Sequence, residues 1–287
     1  MRILSWNCRG AGRAPTVRAL KALVHRERPD IIFIFESKAK SPRVEKIKEW
    51  LKFRRCFCVN AENKSGSLAL YRAKGVSLEV IFDNKNIIAC LVYIDPPTDV
   101  WLLLLVYGPP KVGHREAFWD LVTNITESFS GPWMLLGDCN SYSPSSDKFG
   151  GSSRGDYSSK PFRNFLSNAA AIELGFHGPQ YTWVGRRSGG VHARIRLDQG
   201  CCNQEWQEMF PNAGIKHLVA PTSDHKPILL DPHFENNNIN KPFRFEAMWA
   251  RDPECEDVVD QAWRKEFFGS HGFNLMKKNI PQRLFAE

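Results

Sequence analysis

Long hydrophobic runs are missing from this chain of 287 residues. No apolar stretch approaches the roughly 18 residues that span a bilayer. The longest, around Ile87–Ile94 and Val100–Tyr107, have the length of buried strands, so no membrane association is expected. The N-terminus lacks the apolar core of a secretory signal, because Arg2, Asn7 and Arg9 interrupt it. The 8 cysteines, at 8, 56, 58, 90, 139, 201, 202 and 255, never fall in the paired C-x₂-C spacing of a zinc site. Without a secretory signal they are expected to be reduced, partly buried residues rather than disulfides. Gly10-Ala11-Gly12 lacks the third glycine of a dinucleotide fingerprint. There is no internal repeat and no dense Lys/Arg run of the kind that marks nuclear import.

What is present is a large apolar reserve and an uneven charge. Hydrophobic residues make up 43% and charged residues 24%, enough to bury a sizeable single core. The formal charge is +8. Residues 1–60 hold 15 basic and 5 acidic side chains, a balance of +10, whereas residues 236–287 hold 8 of each. A polyanionic partner explains a basic N-terminal segment; a solubilising surface charge is the plainer alternative.

Periodicity predicts strands at Arg2–Asn7, Ile31–Phe35, Leu68–Tyr71, Leu78–Phe82, Ile87–Tyr93, Trp101–Tyr107 and Trp133–Leu136. Breaks at Lys74-Gly75, Asp83-Asn84 and Pro96-Pro97 separate several of them. Helices are expected at Ala14–Glu27, with Pro15 near its start, and at Ser41–Leu51, His114–Phe129 and Lys160–Ala171. Ser141–Ser159 reads as a polar loop. Tyr181–Val184 and Arg194–Asp198 read as strands either side of the loop Gly185–Gly190, and Pro227–Leu230 as the last core strand. Short adjacent strands with helices between some of them imply two packed mixed sheets with helices outside, an α/β sandwich. A purely parallel doubly wound sheet is the runner-up. Asn236-Asn237-Asn238 reads as a linker, with a possible helix at Asp252–Glu266. The expected division is therefore residues 1–233 as one catalytic domain and residues 234–287 as a linker and truncated extension.

Several polar residues fall at the ends of apolar strands, where a sheet can aim them into one cleft. They are Asn7, Glu36, Tyr107, Asp138 with Asn140, Asp198, and Ser223-Asp224-His225 just before the last strand. Singly, each has an ordinary structural explanation, such as a turn cap or a satisfied surface histidine. Together they supply oxygen ligands for a hard cation, amides and a His–Asp pair, the set that phosphodiester hydrolysis needs.

In this order, Ser5-Trp6-Asn7, Glu36, Gly137-Asp138-Cys139-Asn140, Arg196-Leu197-Asp198 and Ser223-Asp224-His225 resemble the endonuclease/exonuclease/phosphatase superfamily over roughly residues 1–231. Three further segments are similar to the apurinic-endonuclease-like domain of plant LINE-type (non-LTR) retrotransposons. They are Ile3–Gly10, Gly175–Trp183 with Glu205-Trp206, and Phe243–Trp249. The resemblance implies a DNase I-like four-layer sandwich and a Mg²⁺-dependent endonuclease (Mn²⁺ a possible substitute) that nicks double-stranded DNA to leave 3′-hydroxyl and 5′-phosphate ends. It implies Glu36 as metal ligand, helped by Asp224 and Asn7. Asp138 would be the general base, Asn7 and Asn140 would hold water or phosphate oxygens, and Tyr107 would donate to a phosphate oxygen. His225 would stabilise the transition state, oriented by Asp198. In the same family the region of Thr182 and Trp183 approaches DNA, although Trp183 by itself reads first as a core residue; Arg186, Arg187 and Arg194 could grip phosphates, or lie on an exposed solvated loop. Two departures stand out: Cys139 where an aromatic is more usual, expected to affect packing only, and Gln199 where a basic residue is usual.

Two alternatives stay open at this point. One is the same chemistry on another phosphoester, such as an inositol phosphate, a lipid or RNA. The other is a catalytically inactive nucleic-acid-binding remnant. A nuclear location follows only from the presumed substrate.

Overall fold

The computed structural model describes residues 1–60, 67–94, 100–143, 145–150, 157–187, 190–220 and 222–234, and residues 257, 260, 261 and 264. The break at Pro96-Pro97, the linker 236–238 and the segment Phe243–Trp249 lie outside them, as do parts of the loop 141–159 and of the helix expected at 252–266. The chain separates into two compact units, Met1–Asn240 and Lys241–Glu287. In the second, Asp257, Asp260, Gln261 and Arg264 are helical, and Arg264 pairs with Asp260 at 2.9 Å.

The first unit begins with β1 (Ile3–Asn7), α1 (Ala14–Glu27), β2 (Ile31–Phe35), α2 (Ser41–Leu51), β3 (Arg55–Val59) and β4 (Leu68–Arg72). A meander of β5 (Ser77–Asn84), β6 (Ile87–Tyr93) and β7 (Val100–Tyr107) leads to α3 (Arg115–Glu127) and β8 (Trp133–Asp138). Then come β9 (Lys148–Gly150), α4 (Lys160–Asn168), β10 (Ile172–Glu173), β11 (Phe176–His177), β12 (Trp183–Arg187) and β13 (Gly190–Ile195). The unit closes with β14 (Asp198–Cys202), α5 (Gln204–Met209), β15 (Gly214–His217) and β16 (Ile228–Asp231).

Two mixed sheets form the body. One runs β11-β15-β16-β1-β2-β4-β3 and the other β10-β14-β8-β7-β6-β5; β1/β2, β11/β15 and β7/β8 are parallel pairs. A third, small antiparallel sheet runs β12-β13-β9. The alternation within β2 explains the layering, because side chains two apart share a face. Ile31, Phe33 and Phe35 pack between the sheets with Leu103, Leu105 and Met134. Ile32 and Ile34 face outward under Val17, Leu20, Val44 and Ile47 of α1 and α2. On the other side Leu102, Leu104 and Leu135 meet Phe118, Trp119, Phe162 and Phe165 of α3 and α4. The result is the four-layer α/β/β/α sandwich, not the doubly wound parallel sheet. No described helix is long and apolar enough to cross a membrane.

The first half of the chain has the elements that its periodicity predicts, with β3 added. Most departures lie further on. Arg194–Asp198 is not one strand: β13 ends at Ile195, and Asp198 opens β14 after a turn. The loop placed at Gly185–Gly190 is shorter, since β12 continues to Arg187 and β13 starts at Gly190. β3, β14, β15 and α5 are additional elements, and β9 lies within the segment expected to be a loop. The thiols of Cys8, Cys56, Cys58, Cys90, Cys139 and Cys201 are unoxidised.

Candidate active site

Sheet register assembles the site. On the second sheet Tyr107 lies opposite Asp138 across β7/β8, and Asp138 lies opposite Asp198 across β8/β14, so three candidates stand in one row. On the first sheet Asn7 is paired with Phe35, which sets Glu36 one residue beyond. His225 comes three residues before Ile228, the partner of Ser5. All six side chains thus gather at one end of the sandwich. Gly137 permits the approach of β8 to β7: its φ is +149°, and a Cβ there would lie 2.0 Å from the Val106 carbonyl oxygen. Past the strand ends the backbone turns sharply: Arg9, Glu36 and Asn140 all take left-handed φ values of 45°, 49° and 46°. Non-glycine residues there are uncommon and gather at functional sites.

The hydrogen bonds form one network. Glu36 Oε1 accepts from Asn7 Nδ2 at 3.0 Å and from the Tyr107 hydroxyl at 2.8 Å. The tyrosine proton expected at a phosphate oxygen is therefore spent on Glu36, with the ring stacked on Phe35 at 5.4 Å. Asn7 Nδ2 also reaches Asp138 Oδ2 at 3.4 Å. Asn140 donates its backbone N–H to Asp138 Oδ1 at 2.8 Å and its side-chain amide to the Gly108 carbonyl at 2.7 Å. His225 Nδ1 lies 3.0 Å from Asp198 Oδ2 and 3.7 Å from Asp138 Oδ2. Two backbone N–H groups, of Leu197 and Asp198, donate to Thr182 Oγ1 at 3.0 Å each, which fixes the turn before Asp198. The Ser223 hydroxyl ties the His225 segment to the Asn7 carbonyl at 2.8 Å.

Burial gives this network its electrostatics. Asp138, Asp198 and His225 are all under 3% exposed. Burial pushes the Asp138 carboxyl up to about 7, the Asp198 charge adding to the rise while His225 opposes it. Burial alone would depress His225, but Asp198 and then Asp138 overcome it and lift the imidazole to about 9. A raised acid beside a raised base is the pattern of an acid–base pair, and the two titrate as a unit. The Tyr107 hydroxyl is also raised, by burial first and then by Glu36.

Two groups of donors among the described residues could hold a cation. Asp138, Asp198 and His225 offer atoms within 4.8 Å of one another, but His225 Nδ1 is already engaged with Asp198. The second group fits better. Asn7 Oδ1 and Asp224 Oδ1 are buried with no hydrogen-bond partner among the described residues, and Glu36 lies beside Asn7. Orphaned buried oxygens of this kind call for a ligand, and an all-oxygen set suits a hard cation such as Mg²⁺.

Trp183 is not core. It is half-buried, its Nε1 donates to Asp224 Oδ2 at 3.0 Å, and its backbone bridges His225. Arg194 is exposed on β13, where its charge, after partial burial, holds the neighbouring Lys226 below its ordinary pKa. Arg186 and Arg187 lie on β12, their side chains outside the described residues. Gln199 is buried and donates to the Ser141 and Arg196 carbonyls at 2.9 and 3.1 Å, so it is a brace and not a surface contact. Cys139 is fully buried. The residue that sequence reasoning missed is Arg9, whose guanidinium NH1 lies 2.8 Å from Asp224 Oδ2. One arginine in a strongly basic segment carries no signal of its own. A polar cavity of about 530 Å³ lined by Arg2, Glu27, His177, Lys216 and Asp231 lies at the other end of β1 and β16, away from all these groups.

With the geometry in hand, the chain was compared with known proteins. Residues 4–260 match the model of the endonuclease/exonuclease/phosphatase family. A comparison with curated proteins gave no match. Among solved structures, the endonuclease domain of TRAS1, a telomere-specific non-LTR retrotransposon, aligns at 16% identity and a TM-score of 0.60, over 82% of this chain and 99% of that one. The AP endonuclease LMAP from Leishmania major aligns at 14% identity and 0.65, over 80% and 86%. The 3′ phosphatase NExo from Neisseria, bound to a product DNA hairpin, aligns at 16% and 0.61, over 80% and 98%. At these identities the likeness is one of fold.

Proposed function

The chain belongs to the endonuclease/exonuclease/phosphatase family, whose fold implies phosphoester hydrolysis, and on that premise we propose that it is a Mg²⁺-dependent endonuclease that nicks double-stranded DNA. The observation that carries this reading is the hydrogen-bonded set of half-buried Glu36 with buried Asn7, Asp138, Asp198 and His225 at one end of both sheets, with acceptor oxygens left unpartnered among the described residues.

Glu36, Asn7 Oδ1 and Asp224 Oδ1 would hold Mg²⁺, and Tyr107 and Asn7 Nδ2 aim the Glu36 carboxylate. The bound ion supplies charge neutralisation at the scissile phosphate. Asp138 takes a proton from the attacking water as the water oxygen bonds to phosphorus. The bond from phosphorus to the 3′ oxygen breaks, and that oxygen leaves as a 3′-hydroxyl after taking up a proton, with the phosphate remaining on the 5′ side. His225, protonated and oriented by Asp198, faces the charge that develops on the phosphoryl group. The ribbon β12–β13 abuts His225 through Trp183, so Trp183, Arg186, Arg187 and Arg194 are the proposed DNA contacts. The basic N-terminal segment and the TRAS1-like fold favour DNA and a LINE-type origin over another phosphoester. A nuclear location accompanies that substrate.

Plasmid nicking tests the proposal. The purified chain should convert supercoiled plasmid to relaxed circles with Mg²⁺ and not with EDTA, and Glu36→Ala should abolish the conversion. DNA binding without nicking by the native chain would favour a binding module. Loss of both, with turnover of a soluble inositol phosphate, would favour another phosphoester.

A further inference from the structure

Arg9 sits against the donor set described above, and nothing in the proposed chemistry uses it. Its place is fixed by the backbone. Arg9 has φ 45° and Gly10 φ 122°. The turn is stapled by Cys8 N–H to the Phe35 carbonyl at 3.2 Å and Ala11 N–H to the Ser37 carbonyl at 2.7 Å. The guanidinium is thereby carried back over the end of β1, between Glu36 and Asp224. Its NH1 is 2.8 Å from Asp224 Oδ2, and its Nε is 3.8 Å from Glu36 Oε2.

The oxygens divide cleanly. Glu36 Oε1 is taken by Asn7 and Tyr107, so Oε2 is the oxygen that faces Arg9. Asp224 Oδ2 is taken by Arg9 and Trp183, so Oδ1 is left over. One oxygen from each carboxylate, with Asn7 Oδ1, makes a single set of hard donors beside a fixed positive charge. Within this set, a second divalent cation would need the Asp224 oxygen that Arg9 holds, and would meet the arginine's repulsion.

We propose that Arg9 is the internal counter-ion of this pocket: it restricts the pocket to one divalent cation and weakens that cation's binding so that it exchanges readily. The inference rests on the metal-dependent reading above and specifies its stoichiometry. Arg9 acts through Asp224 and Glu36 and is a positioning residue. Its side chain is 45% exposed, so its field on the ion is partly screened, and removing its charge should tighten binding about tenfold.

Mn²⁺ serves as probe, with the free ion counted by electron paramagnetic resonance during titration of the full chain. Native protein and Arg9→Lys should each bind one Mn²⁺. The neutral, similarly shaped Arg9→Gln should bind its first Mn²⁺ about tenfold more tightly and take up a second. In EDTA, Arg9→Gln should melt below native protein, because Glu36 and Asp224 then face each other uncompensated, and Mg²⁺ should restore its Tm. A merely structural loss would leave the Mg²⁺-induced rise in Tm the same in the variant as in native protein. Superimposable isotherms for native protein and Arg9→Gln overturn the inference, as does native protein that binds two ions. Native protein that binds one Mn²⁺ yet never nicks plasmid overturns the endonuclease reading instead, and the isotherms then still decide the role of Arg9.

Discussion

Two ionic clusters lie close together in sequence and differ in burial and in make-up. Arg196 is buried between Asp147 and Glu173, with Nε to Asp147 Oδ1 at 2.9 Å and NH2 to Asp147 Oδ2 and Glu173 Oε2 at 2.6 and 2.9 Å. Burial would lower this guanidinium's pKa, but Glu173 and then Asp147 hold it charged. Two residues on, Asp198 belongs to a cluster with four carboxylates, those of Glu36, Asp138, Asp198 and Asp224, with Arg9 and His225 within ion-pair distance. There Asn7 Oδ1, Asp198 Oδ1 and Asp224 Oδ1 are buried without partners among the described residues. The first cluster is built on one guanidinium gripped bidentately by Asp147 and singly by Glu173; the second is larger, half-open to solvent at Arg9 and Asp224, and holds a titratable imidazole and the Asn7 amide. The compact pairing points to structure, and the larger, half-open set to a place for a ligand and a reaction.

That contrast should appear in mutants as a split between activity and stability. The largest effect is expected at the half-open cluster: His225→Ala should slow nicking roughly 10³- to 10⁴-fold, measured as initial rates on supercoiled plasmid. At the compact cluster the loss should fall on folding. Arg196→Ala removes the buried guanidinium that both Asp147 and Glu173 grip and should cost about 3–5 kcal/mol, read by urea denaturation. If Arg196→Ala unfolds no more easily than native protein, the contrast between the clusters is lost.

A smaller effect belongs to His217, on the scaffold. It is stacked on Phe176 at 4.4 Å, with Nδ1 2.7 Å from the Pro179 carbonyl oxygen. Burial drops its pKa from 6.5 to about 4, against the opposing pull of that carbonyl. The folded state thus disfavours the proton that the unfolded chain accepts. The stabilisation from the neutral ring is complete above pH 6.5 and is lost as pH falls towards 4, on the order of 3 kcal/mol. Urea midpoints of native protein and His217→Gln should converge across that window.

Much of this was legible before any coordinates. In β1, β2, β6 and β7 the apolar pattern is strong and both faces are buried, so composition alone delimits the strands. The polar residues at strand ends stand out for the same reason: Asn7, Glu36, Tyr107 and Asp138 each close a strand-length apolar run. The second half reads less well. β14 is Asp-Gln-Gly-Cys-Cys, buried throughout by its neighbours and not by its own hydrophobicity. The turn before Asp198 is set by Thr182 fifteen residues back, which no local pattern announces. Trp183 misleads because its indole serves packing and hydrogen bonding together, and Arg9 is invisible because its role depends on Asp224, distant in sequence.

The most direct test is a double reading on Asp138→Asn at pH 8. Burial raises the folded-state pKa of Asp138, so its ionised form costs stability above about 7, and a neutral amide of the same shape removes that cost. The variant should melt at the same temperature as native protein or higher, while plasmid nicking falls about 10³-fold. A variant that melts several degrees lower yet nicks at the native rate would mean that this cluster, like that of Arg196, is only structural.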